Sequence, residues 1–172
     1  MRLRNFLHTL PGFQFMSAQD LDHLAAAMRV EEYPDKHVFV YQDQLARELF
    51  LLLEGRVNVC HYGQSGRYHT IKTLEPGEFF GLLSLSDGRP SVASCSAQGA
   101  VKVASLPFSA YVLLYQPGSA IGCGFQYVIA AQLARQLRDR HAMLRNLLAQ
   151  IYSGAAQGQP PPCALKGPAE SA

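Results

Sequence analysis

The residues best placed to do chemistry lie in one stretch, Gly77 to Ser94, GEFFGLLSLSDGRPSVAS. Gly77 follows Pro76, and Gly81 follows Phe79 and Phe80. Glycine is used where backbone must approach a ligand or take a positive φ. Leu82, Leu83 and Ser84 then open a short helical turn, whose successive N–H groups can point at an anion. Asp87-Gly88 marks a turn, and Arg89 is the only basic residue in the stretch. Strand, glycine turn, one helical turn, loop and strand is the order this pattern predicts. The chemistry is binding rather than catalysis. No Ser/His/Asp or Cys/His order accompanies a nucleophile motif, and no Walker-type phosphate loop is present. Cys60, Cys95, Cys123 and Cys163 lack metal spacing. His8, His23, His37, His61 and His69 are scattered, with no i,i+4 pair among them. The cysteines read as two buried strand thiols, one helix thiol and one tail thiol, which fits a reducing, cytoplasmic location.

The elements that must position this stretch follow from the rest of the chain. Its 172 residues suit one domain with tails. At 48% apolar and 16% charged residues the body is globular, and a net charge of +2 does not by itself imply nucleic acid. No run reaches the roughly 18 apolar residues of a membrane span. Met1 to Leu10 lacks the apolar core of a signal peptide. The first segment, 1–31, is expected to be helical: Ser17 caps a helix through Leu21 and Leu24 to about Met28, with Asp20 three residues after the cap. Pro34 blocks continuation. Residues 32–106 read as short strands separated by turns. Leu49 to Leu53 is a strand buried on both sides, and Gly55 is expected to end it. Gly63 to Gly66 should turn a hairpin into Tyr68 to Leu74, and Gly99 should turn a second between Ser91–Ala97 and Ala100–Leu106. Residues 107–152 are helical: a short helix from Pro107, a break at Pro117-Gly118, and a long helix from Ala120 to Ile151. Leu133, Leu137, Leu144, Leu148 and Ile151 form a stripe on that helix that outruns any barrel it could cover. Residues 153–172 read as a disordered tail with a polyproline element at Pro160–Pro162. The fold class expected is mainly β with flanking helices, an antiparallel jelly-roll barrel plus a long C-terminal helix.

The stretch around Gly81 resembles the phosphate-binding cassette of cyclic-nucleotide-binding domains. Gly81, Leu83, Ser84 and Leu85 fit its first half; Asp87, Gly88, Pro90, Ala93 and Ser94 fit its second. EYPDKHVFV, ELFLLLEGRVNV and LEPGEFFG keep the family's strand register, and the resemblance covers about Phe13 to Leu148. It implies the fold, a ligand site at Phe80, Gly81, Leu82, Leu83, Ser84, Ser91 and Val92, and a parallel dimer through the long helix. Arg89 is a further candidate, because residues i and i+2 of a strand share a face and it stands two before position 91. In the family's bacterial activators a Thr-Ser pair on that helix contacts adenine, and it aligns with Arg140-His141. Two departures stand out. The family's ribose-binding glutamate falls on Leu82, and its phosphate-binding arginine falls on Ser91. Losing an arginine–phosphate contact weakens binding roughly a hundredfold or more.

The expected function is therefore a non-catalytic regulatory domain, impaired in ordinary cyclic AMP binding and acting through protein contacts. Two alternatives accompany it. One is a sensor of a cyclic nucleotide or another anion. The other is a regulator of the Crp/Fnr type that acts with a DNA-binding partner, since the chain has no room for its own helix-turn-helix domain. A cyclic nucleotide is the only cofactor candidate. A homodimer, a protein partner, no direct DNA binding and no membrane complete the expectation.

Overall fold

The computed structural model describes residues 3–63, 67–114 and 119–155. The expected turn at 64–66, the break at Pro117-Gly118 and the tail after residue 155 lie outside them. Those residues fall into two units, one ending at Leu133 and one beginning at Ala134.

In the first unit, α1 (Leu3–Thr9), a 3-10 turn (Phe13–Phe15) and α2 (Ala18–Ala27) precede the sheet. Ser17 caps α2 as its sequence predicts, its Oγ accepting the Asp20 N–H at 3.1 Å. Helix α1 lies in the segment 1–31 expected to be helical, but the sequence reading named no separate helix there. It buries Leu7 alone in a seven-residue helix, too short to show a helical period. Six antiparallel strands follow: β1 (Arg29–Tyr33), β2 (Val38–Val40), β3 (Glu48–Tyr62), β4 (Tyr68–Leu74), β5 (Phe79–Phe80) and β6 (Ser94–Pro107). Helix α3 (Leu82–Asp87) lies between β5 and β6, and α4 (Phe108–Leu114) follows β6. The ladder runs β1-β6-β3-β4, with β2 on β6 and β5 on β3. It is an open path, so this jelly roll is held together by side-chain packing rather than by a closed ring of hydrogen bonds.

Strand β3 shows why the fold has two cores. Successive strand residues face opposite sides. Leu49 and Leu51 enter one apolar cluster, with Leu7, Phe13, Leu21, Leu24, Phe125 and Ile129 of the helical elements. Phe50 and Leu52 enter the other, with Val57, Leu74, Phe80, Val101 and Val103. The continuous apolar run is thus a strand buried on both faces.

Gly55 and Gly99 correct the expected strand ends. Neither terminates a strand: β3 passes through Gly55 and β6 through Gly99 without interruption. The β3–β6 register shifts on either side of Glu54, from Leu52↔Val103 to Glu54↔Lys102 and then to Arg56↔Gln98. Both glycines take positive φ, 86° and 76°. A glycine inside a strand can mark a bulge or bend as well as an end. The second hairpin expected at Gly99 is therefore one long bent strand. The thiols also differ in part from expectation: Cys95 is buried, Cys60 only half-buried, and Cys123 is exposed on a helix. Burial pushes the Cys95 thiol up to about 12.

The long helix α5 runs from Ala120 to Ala155, four residues past its expected end. Within the first unit, Phe125, Val128 and Ile129 are buried in the helix-side cluster, and Leu133 packs at its margin. The second unit contains the rest of α5, where Leu137, Leu144, Leu148 and Ile151 are exposed. Among the described residues no helix is long and apolar enough to cross a membrane.

A Cβ at Gly55 would sit 2.6 Å from the Ala100 carbonyl oxygen, whereas one at Gly99 would meet nothing within 4 Å. Gly55→Ala should therefore lose more than the about 1–3 kcal/mol of backbone strain, and Gly99→Ala only that strain. Urea unfolding of the two variants checks the difference.

Candidate functional site

Gly81 is the pivot of the site. It takes left-handed geometry at φ 80° and caps α3 without a side-chain hydrogen bond. A Cβ there would lie 2.7 Å from the Glu48 carbonyl oxygen, so the turn presses directly on the β3 backbone. Gly88 ends α3, also left-handed, its N–H bonded to the Ser84 carbonyl at 3.1 Å. The strand, glycine turn, helical turn, loop and strand predicted for this stretch are all present.

The side chains of the site are mostly committed elsewhere. Leu82 is 4% exposed and belongs to the helix-side core. Ser84 is buried, and its Oγ accepts the Ala46 N–H at 2.9 Å. Ser91 is also buried, with its N–H donated to the Gln44 carbonyl at 2.9 Å and its own carbonyl accepting the Asp43 N–H at 2.8 Å. Gln42 extends this seam, its N–H donated to Ser94 Oγ at 2.9 Å. Arg89 is exposed in the turn, where its N–H binds Asp87 Oδ1 at 3.0 Å. Val92 is 70% exposed, and its carbonyl lies 3.0 Å from His61 Nδ1. The side chain of Leu83 lies outside the described residues. Arg140 and His141 are exposed on the part of α5 that belongs to the second unit. The structure thus gathers Phe80 to Ser84, Arg89, Ser91 and Val92 into one loop–helix–loop.

On the inner side of the sheet Phe80 stacks on Phe50 at 5.1 Å, and Phe39 meets both rings at 5.4 Å. His37 and Tyr33 continue the aromatic cluster outward from Phe39 at 4.7 and 4.9 Å. Burial, followed by the hydrogen bond to Glu31, pushes the Tyr33 phenol up to about 12. Among the described residues no buried side-chain polar atom lacks a partner, and no cluster of metal-ligating side chains occurs.

The sequence reading missed one positioning residue. The Phe79 N–H donates to Gln132 Oε1 at 2.9 Å, and the Phe79 carbonyl accepts from Gln132 Nε2 at 2.7 Å. One carboxamide therefore does for the outer edge of β5 what a neighbouring strand would do. It fixes the start of the cassette, two residues before Gly81, to α5. The signal in the sequence was a polar residue between Ile129 and Leu133, on an otherwise apolar helix side.

Residues 30–116 match the family described as "Cyclic nucleotide-binding domain". The chain belongs to that family. A cAMP-dependent protein kinase regulatory subunit of Blastocladiella emersonii is 27% identical over 112 residues, 65% of this chain and 28% of that protein. A cyclic AMP receptor protein of Thermus thermophilus is 28% identical over 129 residues, 75% of this chain and 58% of that protein. The chain thus spans less than two thirds of either relative. Among solved structures, a cyclic nucleotide-binding domain from Methylobacillus flagellatus superposes with a TM-score of 0.75 at 21% identity, covering 84% of this chain and 82% of that one. The Thermus thermophilus catabolite activator protein gives 0.67 at 28% identity, covering 80% and 62%. The shared fold is the antiparallel jelly roll with flanking helices.

Gln132→Ala should leave the Phe79 N–H and carbonyl unpaired at a part-buried edge and lose about 1–3 kcal/mol. Hydrogen exchange at Phe79 to Leu82 should rise beyond the global change in stability. Unchanged local exchange would show that β5 does not depend on this contact.

Proposed function

We propose that this is a non-catalytic regulatory domain that does not hold a cyclic nucleotide by its family's ordinary charged contacts and that works through protein–protein contact. The observation that carries this is the fate of Leu82 and Ser91. The position where the family places a carboxylate is a leucine 4% exposed within an apolar core. The position where the family places an arginine is a buried serine whose N–H and carbonyl are both taken by the Asp43–Gln44 segment. A cyclic phosphate needs cationic or well-aimed donors to offset its desolvation. Arg89, the only cation of the stretch, is exposed in a turn with its backbone held by Asp87.

A second reading, a sensor of a small anion, is favoured by the retained backbone. Gly81 keeps the left-handed geometry that opens α3, and a turn of that kind can aim backbone N–H groups at an anion. Calorimetry decides between the two. Cyclic AMP and cyclic GMP should show no micromolar binding to the wild-type protein, and Ser91→Arg should improve the affinity for cyclic AMP by about tenfold or more. Micromolar binding to the wild-type protein would support the sensor.

The contact surface of this reading is the α5 stripe, paired with its own copy. Leu137, Leu144, Leu148 and Ile151 are 57%, 54%, 42% and 65% exposed. Covering each side chain fully would stabilise by about 1.5–3 kcal/mol, and a self-complementary stripe can cover itself about a two-fold axis. The wild-type chain should sediment as a dimer at micromolar concentration and Leu144→Asp as a folded monomer. A monomeric wild-type protein would remove the homodimer from this reading.

A further inference from the structure

The exposed half of α5 has a seam spacing with one irregular member. Positions 137, 140, 144, 147 and 151 alternate steps of three and four, as in the seam of a two-helix coiled coil. Leu137, Leu144, Leu147 and Ile151 fill four of these places, and Arg140 fills the second. His141 stands beside it. Asp139 is the only acidic residue between Ala134 and Ala155, against Arg135, Arg138, Arg140 and Arg145. It points about 100° round the helix from Arg140. Arg140 is exposed, and no ion pair among the described residues includes it.

We propose that Arg140 and its copy across the two-fold axis form a binding site for a small tetrahedral dianion of the phosphate class, which supplies the counter-charge that closes the α5 seam. The site rests on the homodimer proposed above and is incomplete in one chain. In a parallel pair, equivalent positions meet at the same height, so every apolar place faces an apolar place and Arg140 faces Arg140. The apolar places select a second copy, and the mismatched layer selects the ligand. Each guanidinium is a planar fork that binds two oxygens of one anion. A tetrahedral dianion has oxygens for both forks and a charge that balances both. Chloride offers neither a second acceptor nor a second charge. His141 lines the same layer and adds a ring nitrogen from each copy.

The test is sedimentation equilibrium of the full chain in chloride and in inorganic phosphate at matched ionic strength and pH. A ligand that binds only the dimer strengthens association by mass action. The dimer dissociation constant should fall about tenfold in phosphate at about ten times the site's own dissociation constant. Arg140→Leu completes the apolar seam, so it should dimerise in chloride at least as tightly as the wild-type protein does in phosphate and should ignore phosphate. Arg140→Lys keeps the charge without the fork and should respond less. Wild-type dimerisation that is equal in both buffers would overturn the site while leaving the dimer, as an antiparallel pair would. An equal phosphate response in Arg140→Leu would place the anion elsewhere and overturn it too. Monomers throughout, for both proteins, would refute dimer and site together. A third arm with cyclic AMP, a monoanion, should show no more than the chloride behaviour, and a response confined to it would overturn the dianion.

Discussion

A one-residue slip between β3 and β6 would send Leu49 to Leu52 to the wrong cores, because these four residues alternate between the two. Leu49 and Leu51 serve the helices; Phe50 and Leu52 serve the inner face of the jelly roll. The pairing from Glu48↔Pro107 to Cys60↔Ser94 sets that assignment along the length of both strands. The bend at Gly55 and Gly99 lets a single pair of strands contribute to the whole sheet. Everything attached to β3 inherits this register, including β5, the Gly81 turn that lies on the Glu48 carbonyl, and the helix that turn begins.

The cassette illustrates how geometry and chemistry separate. Its shape is held by two glycines, one serine hydroxyl and backbone pairing. Gly81 and Gly88 bracket α3, Ser84 ties it to Ala46, and Ser91 pairs with the neighbouring loop through backbone alone. None of these contacts uses the charges by which the family grips a nucleotide. The leucine side chain at position 82 packs within the helix-side apolar cluster. Position 91 is a buried serine, so both positions contribute to the packing of the cassette.

The parts legible in the sequence were those carried by local pattern. The Ser17 cap, the doubly buried strand at Leu49 to Leu53, the β4 strand and the order of elements around Gly81 each follow from residues within one short window. Gly55 and Gly99 misled because a positive φ serves a turn and a bulge equally well, and only the partner strand decides which is formed. Helix α1 was not legible because its place is set by burial of Leu7 against distant residues. The Ser91 pairing and the Gln132 contact join residues 47 and 53 positions apart, counted from Gln44 to Ser91 and from Phe79 to Gln132. No periodicity reports a contact of that separation.

The Gln132 carboxamide has a consequence for solubility. Strand β5 is only two residues long, and its outer N–H and carbonyl would otherwise be open to an extended chain from another molecule. Proteins commonly guard such borders with charge, proline or a covering element. Here a single uncharged side chain, delivered by a helix, occupies the donor and the acceptor together. A border closed in this way cannot template strand addition while α5 stays in place. Lifting the helix would expose that N–H and carbonyl at the start of the cassette.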